Sequence, residues 1–282
     1  MKASIIMTAY NVGEYIEQAM KSVLAQSYKD IELIVVLDKP TDNTEEIVKS
    51  FTDERVKIVE HEVNKGAGEA RKAGIEAATG EYVICIDGDD WIAEDFIETL
   101  MAEAEKTDAD VVVGGLTIPK ENGGYERVCY GEMLKEGEDK YIGYRQERVP
   151  FINNKLIRRK LFDKVPYCTR RFIEDLPTYN KLLYFVNKVA YANNDGYIYR
   201  QRESSLLHSS NSFKHALFNA LFYQDVIEFY EKENKELLGK LGYAQGYMGM
   251  IQAIKQCKPT REMVEEFKEE WFEYSLRLTQ AL

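Results

Sequence analysis

Residues 82–91 read YVICIDGDDW. Tyr82 to Ile86 is an unbroken apolar run rich in β-branched residues, the pattern of a strand buried on both faces. It ends in Asp87-Gly88-Asp89-Asp90, three carboxylates in four positions. Like charges that close repel one another unless a cation or a shared proton intervenes. A hard divalent ion such as Mg²⁺ or Mn²⁺ takes oxygen ligands of this kind. An acidic turn capping a helix that begins near Ala93 is the plainer reading, but a cap uses one carboxylate, not three.

Working outward, Ala3 to Thr8, Ile31 to Leu37 and Val56 to Glu60 read as three earlier strands. Helical spacing fills the intervals: Glu14 to Gln26 with Ile16, Met20, Val23 and Leu24 on one face, Thr44 to Phe51, and Glu69 to Ala78. Thr41 or Asp42 can cap the second of these helices. Alternation of strand and helix with short connections predicts a mostly parallel sheet flanked by helices, a Rossmann-like α/β fold. In such sheets ligands sit at the carboxyl ends of the strands. Asp38, Asp87 and the Thr8–Asn11 segment all fall there.

Beyond the acidic turn, Phe96 to Lys106 reads as a helix and Ala109 to Leu116 as one strand. Residues 119–147 are Gly- and charge-rich and read as a loop and hairpin region over the crevice. The chain resumes helically from Glu174-Asp175 to Tyr184, and Lys188–Tyr191 and Gly196–Arg200 read as strands. After residue 210 the pattern turns to amphipathic helices at 213–235, 241–256 and 262–278. The boundary expected there divides a catalytic domain, 1–210, from a helical C-terminal region, 211–282.

With 45% hydrophobic and 30% charged residues, the chain is long enough for a sizeable core under a charged surface. Its net charge of −11 argues against nucleic acid as a partner, which needs a basic face. Cys85, Cys129, Cys168 and Cys257 form no CxxC pair and read as free thiols of a reducing compartment. The N-terminal residues enter a strand directly, and no stretch reaches the length of a membrane span. These features predict a cytoplasmic protein, with the inner face of the membrane as an alternative place of work.

The strings SIIMTAYN, the Asp38 turn with TDNT, NKGAGEARKAG, ATGEYVICIDGDDW and IEDLPTYNKLL occur in that order between residues 3 and 205. Together they resemble family 2 inverting glycosyltransferases of the GT-A fold. The resemblance implies an enzyme that moves a sugar from a nucleotide-diphosphate donor, UDP-linked, to a glycan or lipid-linked acceptor. It implies Mn²⁺ or Mg²⁺ as cofactor. Asp87 and Asp89 match the metal-binding DxD motif, Asp87 lying near ribose and metal. Asp90 is left between a direct role and a helix cap. Asp38 matches the acidic residue that receives a hydrogen bond from uracil, and Thr8 and Tyr10 match positions lining the base and ribose. Arg71 matches an arginine near the base and phosphates, and an arginine early in a helix after a Gly-rich loop suits an anion.

By the same resemblance Asp175 is the base that takes the acceptor proton, with Glu174 beside it expected to raise its pKa by repulsion. Arg200 and Arg202 belong to a loop that closes over the diphosphate, and His208 is a candidate third metal ligand. The chain departs from the family pattern at Leu37, Lys39-Pro40 and Lys72, which keeps two other readings open. One is a nucleotide-binding protein with a degenerate site. The other is a sugar nucleotidyltransferase, although the basic Gly-rich loop that chemistry uses after the first strand is missing.

Two further features bear on partners. Seven basic residues between Lys155 and Arg171 face only Asp163, and read either as a solvated face or as a surface for an anionic, lipid-linked acceptor. Phe218, Phe222, Phe229 and Tyr230, and the series Val264, Phe267, Trp271, Tyr274 and Leu278, predict helices that pack on the catalytic domain or on a second copy. Peripheral membrane contact through these helices is opposed by the glutamates of residues 262–273.

Overall fold

The computed structural model describes residues 1–120, 123–128, 151–165, 167–169, 173–201, 212–236 and 243–280. Strands β1 (Ala3–Ala9), β2 (Ile31–Leu37), β3 (Val56–Glu60) and β4 (Tyr82–Asp87) alternate with helices α1 (Ile16–Leu24), α2 (Thr44–Ser50) and α3 (Ala67–Ala77). After β5 (Trp91–Ile92) come α4 (Phe96–Thr107), β6 (Val111–Val113), β7 (Leu116–Pro119), β8 (Tyr125–Val128) and β9 (Lys155–Arg158). Then follow α5 (Asp175–Phe185), β10 (Val189–Tyr191), β11 (Tyr197–Ile198), α6 (Ser212–Glu233), α7 (Tyr243–Cys257), α8 (Arg261–Glu266) and α9 (Lys268–Gln280).

Seven strands form the central sheet in the order β10-β6-β9-β4-β1-β2-β3. All pairings are parallel except those of β9, which runs antiparallel between β4 and β6. All seven residues of β2 are buried, as a strand covered by helices on both faces requires. The register sets Thr8 opposite both Asp87 and Val36, so β1, β2 and β4 end level with one another. Strand β5 pairs with β11 in a second, four-stranded sheet, order β5-β11-β7-β8.

The structure corrects several expectations. Residues 109–116 do not form one strand. The chain breaks at Gly114-Gly115, where an added Cβ would lie 2.7 Å from the Phe96 ring and 2.9 Å from Asp195, and β6 and β7 join different sheets. Helix α4 starts at Phe96, after Asp95, so Asp90 caps no helix. The C-terminal periodicity of 262–278 divides at Phe267 into α8 and α9. The first part of the basic run turns inward, while Lys160 and Lys164 are exposed. Lys155 is fully buried, Arg158 pairs with Glu81, Asp108 and Asp110, and the Arg159 Nε donates to the Gly80 carbonyl. Arg170 and Arg171 lie outside the described residues.

Helix α6 spans two apolar clusters. Phe222, Val226 and Tyr230 join the core of the sheet, while Phe213, Leu217, Phe218 and Leu221 pack with Ile251 and Ile254 of α7 and with Phe267 and Tyr274. Among the described residues, no helix is long and apolar enough to cross a membrane.

At the opposite end of the sheet from the acidic turn, β2 carries the buried Glu32. Its carboxylate accepts hydrogen bonds from Ser4 Oγ (2.6 Å), Lys57 Nζ (2.7 Å), Lys2 Nζ (3.0 Å), Thr79 Oγ1 (2.8 Å) and the Thr79 N–H (2.7 Å). Burial opposes its ionisation, but these donors outweigh burial and hold the carboxyl well below the usual glutamate range. A depressed carboxyl stabilises the fold above its unfolded pKa, near 4.3, and that contribution is lost as pH falls toward the folded value. Urea denaturation between pH 3 and pH 7 should therefore show stability falling below about pH 4.5. Glu32→Gln should flatten that slope, and an unchanged slope would mean that other carboxylates set it.

Candidate active site

The loops after β1 and β2 are laced together by their own hydrogen bonds. Asn11, at φ 50°, uses Oδ1 to accept the Thr41 N–H (2.8 Å). The Val12 N–H donates to Thr44 Oγ1 and the Gly13 N–H to Asp42 Oδ2, both at 2.9 Å. Asp42 also accepts the Thr44 N–H (3.0 Å), but the N-cap of α2 is Asn43 and no side chain caps it, so neither Thr41 nor Asp42 is the cap expected. Tyr10 is left at the rim, 46% exposed, where it can meet a planar ligand.

Asp38 stands at the end of β2 and is 3% exposed. Its carboxylate accepts the N–H groups of Lys65 (2.8 Å) and Gly66 (2.7 Å) and lies 2.7 Å from His61 Nδ1. Here it ties down the loop leading into α3. His61 attracts no notice in the sequence; its position directly after β3 is the only signal.

Asp87 ends β4 and is half-buried. Oδ1 accepts from Arg71 Nη2 (2.7 Å) and, at 3.4 Å, from Thr8 Oγ1; Oδ2 accepts from Asn153 Nδ2 (2.7 Å). Gly88 lies so close to β1 that a Cβ there would stand 2.7 Å from the Thr8 carbonyl oxygen, which already accepts the Gly88 N–H. The residue between the two aspartates therefore has to be small. Asp90 is buried: Oδ2 accepts from the Tyr197 hydroxyl (2.6 Å) and Oδ1 from the Arg200 N–H (2.8 Å). Burial first, then the charges of Asp87 and Asp89, push its carboxyl well above the usual aspartate range.

Oxygens of Asp87, Asp89 and Asp90 lie within 4.8 Å of one another. An all-oxygen donor set with two partly exposed carboxylates, Asp87 and Asp89, fits a hard divalent cation. Asp90, with both oxygens engaged inward, supports the turn.

Arg71 reaches the site from α3 and is buried. Nη2 bonds Asp87, and Nη1 donates to Glu174 Oε1 across 103 residues of sequence. Nε makes no hydrogen bond among the described residues. One guanidinium thus joins the acidic turn to the start of α5. Just before α5, Ile173 holds φ 56°, a left-handed backbone uncommon for a β-branched residue. The turn sets Glu174 against Arg71 and puts Asp175, also buried, in the first turn of α5 with Oδ2 accepting the Ile152 N–H (3.3 Å). Burial raises the Asp175 pKa; the Arg71 charge and the Ile152 N–H pull it down without cancelling that rise, and Asp87 adds to it. Burial, not the repulsion by Glu174 that was expected, is the largest cause of the rise.

Arg200 lies between the rings of Tyr15 and Trp91, 4.7 and 4.5 Å from their centroids. Nη2 donates to Gln18 Oε1 (2.6 Å) and Nε to the Asp89 carbonyl (2.8 Å). Its side chain therefore anchors the chain beside the acidic turn. Arg202 and His208 lie outside the described residues. Asn153 and Tyr197 were not foreseen, and a lone asparagine and a lone tyrosine offer no pattern to find.

Residues 4–169 match the family described as "Glycosyl transferase family 2". The chain belongs to that family. It is a glycosyltransferase, and among its relatives is Glycosyltransferase GlyG of Streptococcus pneumoniae serotype 4. The two are 29% identical over 292 aligned positions, covering 97% of this chain and 95% of GlyG. A crystal structure of S. aureus TarS in complex with UDP-GlcNAc superposes on this glycosyltransferase with a TM-score of 0.66 at 21% identity, over 90% of this chain and 82% of that one. The mannosyltransferase PcManGT from Pyrobaculum calidifontis, in complex with GDP-Man and Mn²⁺, gives a TM-score of 0.60 at 16% identity, over 99% of this chain and 83% of that one. At these identities both likenesses establish the GT-A fold.

Proposed function

We propose that this glycosyltransferase is an inverting enzyme that moves a sugar from a UDP-linked donor to a hydroxyl of a glycan or lipid-linked acceptor. The observation that carries the reading is the Arg71 guanidinium, which holds Asp87 and the Glu174–Asp175 pair together. Inversion by single displacement needs a donor site and, on the opposite side of the sugar, a carboxylate to take the acceptor proton. Asp175 is the base in this reading. Its buried carboxyl, raised above the ordinary range, is a better proton acceptor once ionised than a solvated aspartate.

Asp87 and Asp89 would hold Mn²⁺ or Mg²⁺. A cation bound there would offset the negative charge gained by the departing diphosphate. Thr8 and Tyr10 border the nucleoside, with the exposed Tyr10 ring offering a stacking face. Asp38, with both oxygens engaged, shapes the pocket through the Lys65–Gly66 backbone and His61. Arg200, stacked and fixed beside Asp89, borders the diphosphate. TarS, in complex with UDP-GlcNAc, supports a UDP-linked donor, and PcManGT, with Mn²⁺, supports the cation. The helical region 211–282 is read as an appendage of the catalytic domain 1–210.

The test is a thermal-shift panel of UDP, GDP, ADP and CDP, each with Mn²⁺ or with chelator. A ligand near a hundred times its Kd adds about 2.7 kcal/mol, worth roughly 5 °C for a chain of this size. UDP with Mn²⁺ should give the largest shift, and chelator should abolish it. A larger shift with GDP would overturn the uridine assignment, and an equal shift in chelator would overturn the metal.

A further inference from the structure

Residues 151–155, Phe-Ile-Asn-Asn-Lys, turn into β9 beneath the site. Two adjacent residues of this turn reach its two halves. The Ile152 N–H donates to Asp175 Oδ2 (3.3 Å), and Asn153 Nδ2 donates to Asp87 Oδ2 (2.7 Å) and to the Tyr197 hydroxyl (3.1 Å). Asn153, only 8% exposed, has its orientation dictated by these partners, since a flipped amide would set oxygen against the Asp87 carboxylate. With Asn153 donating, the Tyr197 hydroxyl accepts from it and donates to Asp90 Oδ2.

The turn itself is braced from below. Buried Lys155 donates through Nζ to the Phe151 carbonyl (2.6 Å) and to Asn154 Oδ1 (2.8 Å), and Asn154 Nδ2 donates to the Gly114 carbonyl (2.7 Å).

We propose that Asn153 is a positioning residue that fixes the rotation of the Asp87 carboxylate and, through its neighbour Ile152, sets that carboxylate in register with Asp175. The inference rests on the donor and base roles given above. Arg71 holds one Asp87 oxygen and Asn153 the other, so the carboxylate cannot rotate without breaking one of these bonds. Serine would fall short of Oδ2, glutamine would overreach, and aspartate would repel it. Asparagine alone combines the reach with two N–H groups.

The test compares Asn153→Asp, nearly isosteric but lacking the donor, with Asn154→Ser, which loosens the same turn away from the site. Calorimetric Kd for UDP with Mn²⁺ is measured beside Tm. Losing a hydrogen bond to a charged group should weaken UDP–Mn²⁺ binding by about tenfold or more in Asn153→Asp. Asn154→Ser should bind like wild type even where its Tm falls equally. Unchanged binding in both variants, or weakening that merely follows Tm in both, would overturn the inference. If the wild type itself binds no nucleoside diphosphate, the donor reading fails separately. Crystal structures of the two variants then decide. A rotated Asp87 in Asn153→Asp alone sustains the positioning role, and an unmoved Asp87 removes it.

Discussion

Replacing Asp175 with asparagine is expected to lower transfer by about 10²–10⁴-fold, the range of a lost general base, while UDP–Mn²⁺ binding stays near the wild-type value. The substitution is nearly isosteric, and an amide oxygen can still accept the Ile152 N–H that Asp175 Oδ2 accepts. Arg71 keeps both of its carboxylate partners, Asp87 and Glu174, so no buried charge is left alone. Stability should not fall at neutral pH. The Asp175 pKa is raised in the fold, so its contribution is full below the unfolded value, near 3.9, and is lost as pH rises through the folded value. Asparagine has no such loss. The same shift governs rate, since a base must be ionised to take a proton. The acidic limb of the kcat profile should lie above the ordinary aspartate range and vanish in Asp175→Asn. An unchanged kcat would remove Asp175 as base, and a limb below pH 4 would remove burial as the force acting on it.

Strand runs and helix spacing sufficed to place Thr8, Asp38 and Asp87 together at the carboxyl ends of the strands, because parallel strands of similar length end together. What they could not show were partners. Arg71 was legible as an arginine entering the site, but its bond to Glu174 spans 103 residues and depends on where α5 docks. Counting charge left Lys155 to Arg171 as either a solvated face or a surface for an anionic acceptor, and could not show that its first members turn inward. Glu81, Asp108 and Asp110, distant in sequence, turn Arg158 inward, and a four-residue antiparallel strand buries Lys155. That strand has too few residues to display a period. Asp90 stood between a direct role and a helix cap because an acidic residue before a helix often is one, and Tyr197, over a hundred residues on, gives it a different task.

Arg71→Met should be the most damaging single substitution outside the base. Methionine matches the arginine stem in length and fills the buried space, but leaves the Glu174 carboxylate, only 8% exposed, without its counter-ion. Breaking a buried pair by removing one partner costs about 3–5 kcal/mol, whereas an exposed pair would cost under about 1 kcal/mol. Urea denaturation distinguishes these values, and a loss below 1 kcal/mol would mean that the pair is not buried in solution. Glu174→Gln introduced alongside Arg71→Met removes the stranded charge and should restore part of the stability, giving a coupling energy for the pair. Nucleotide binding should not follow. Asp87 would still lack its Arg71 donor on Oδ1, so UDP–Mn²⁺ affinity should remain reduced in the double variant. If affinity returned together with stability, Arg71 would act only as a strut between α3 and α5. Affinity that stays low while stability recovers separates its two bonds, one holding the fold at Glu174 and the other orienting the donor carboxylate at Asp87.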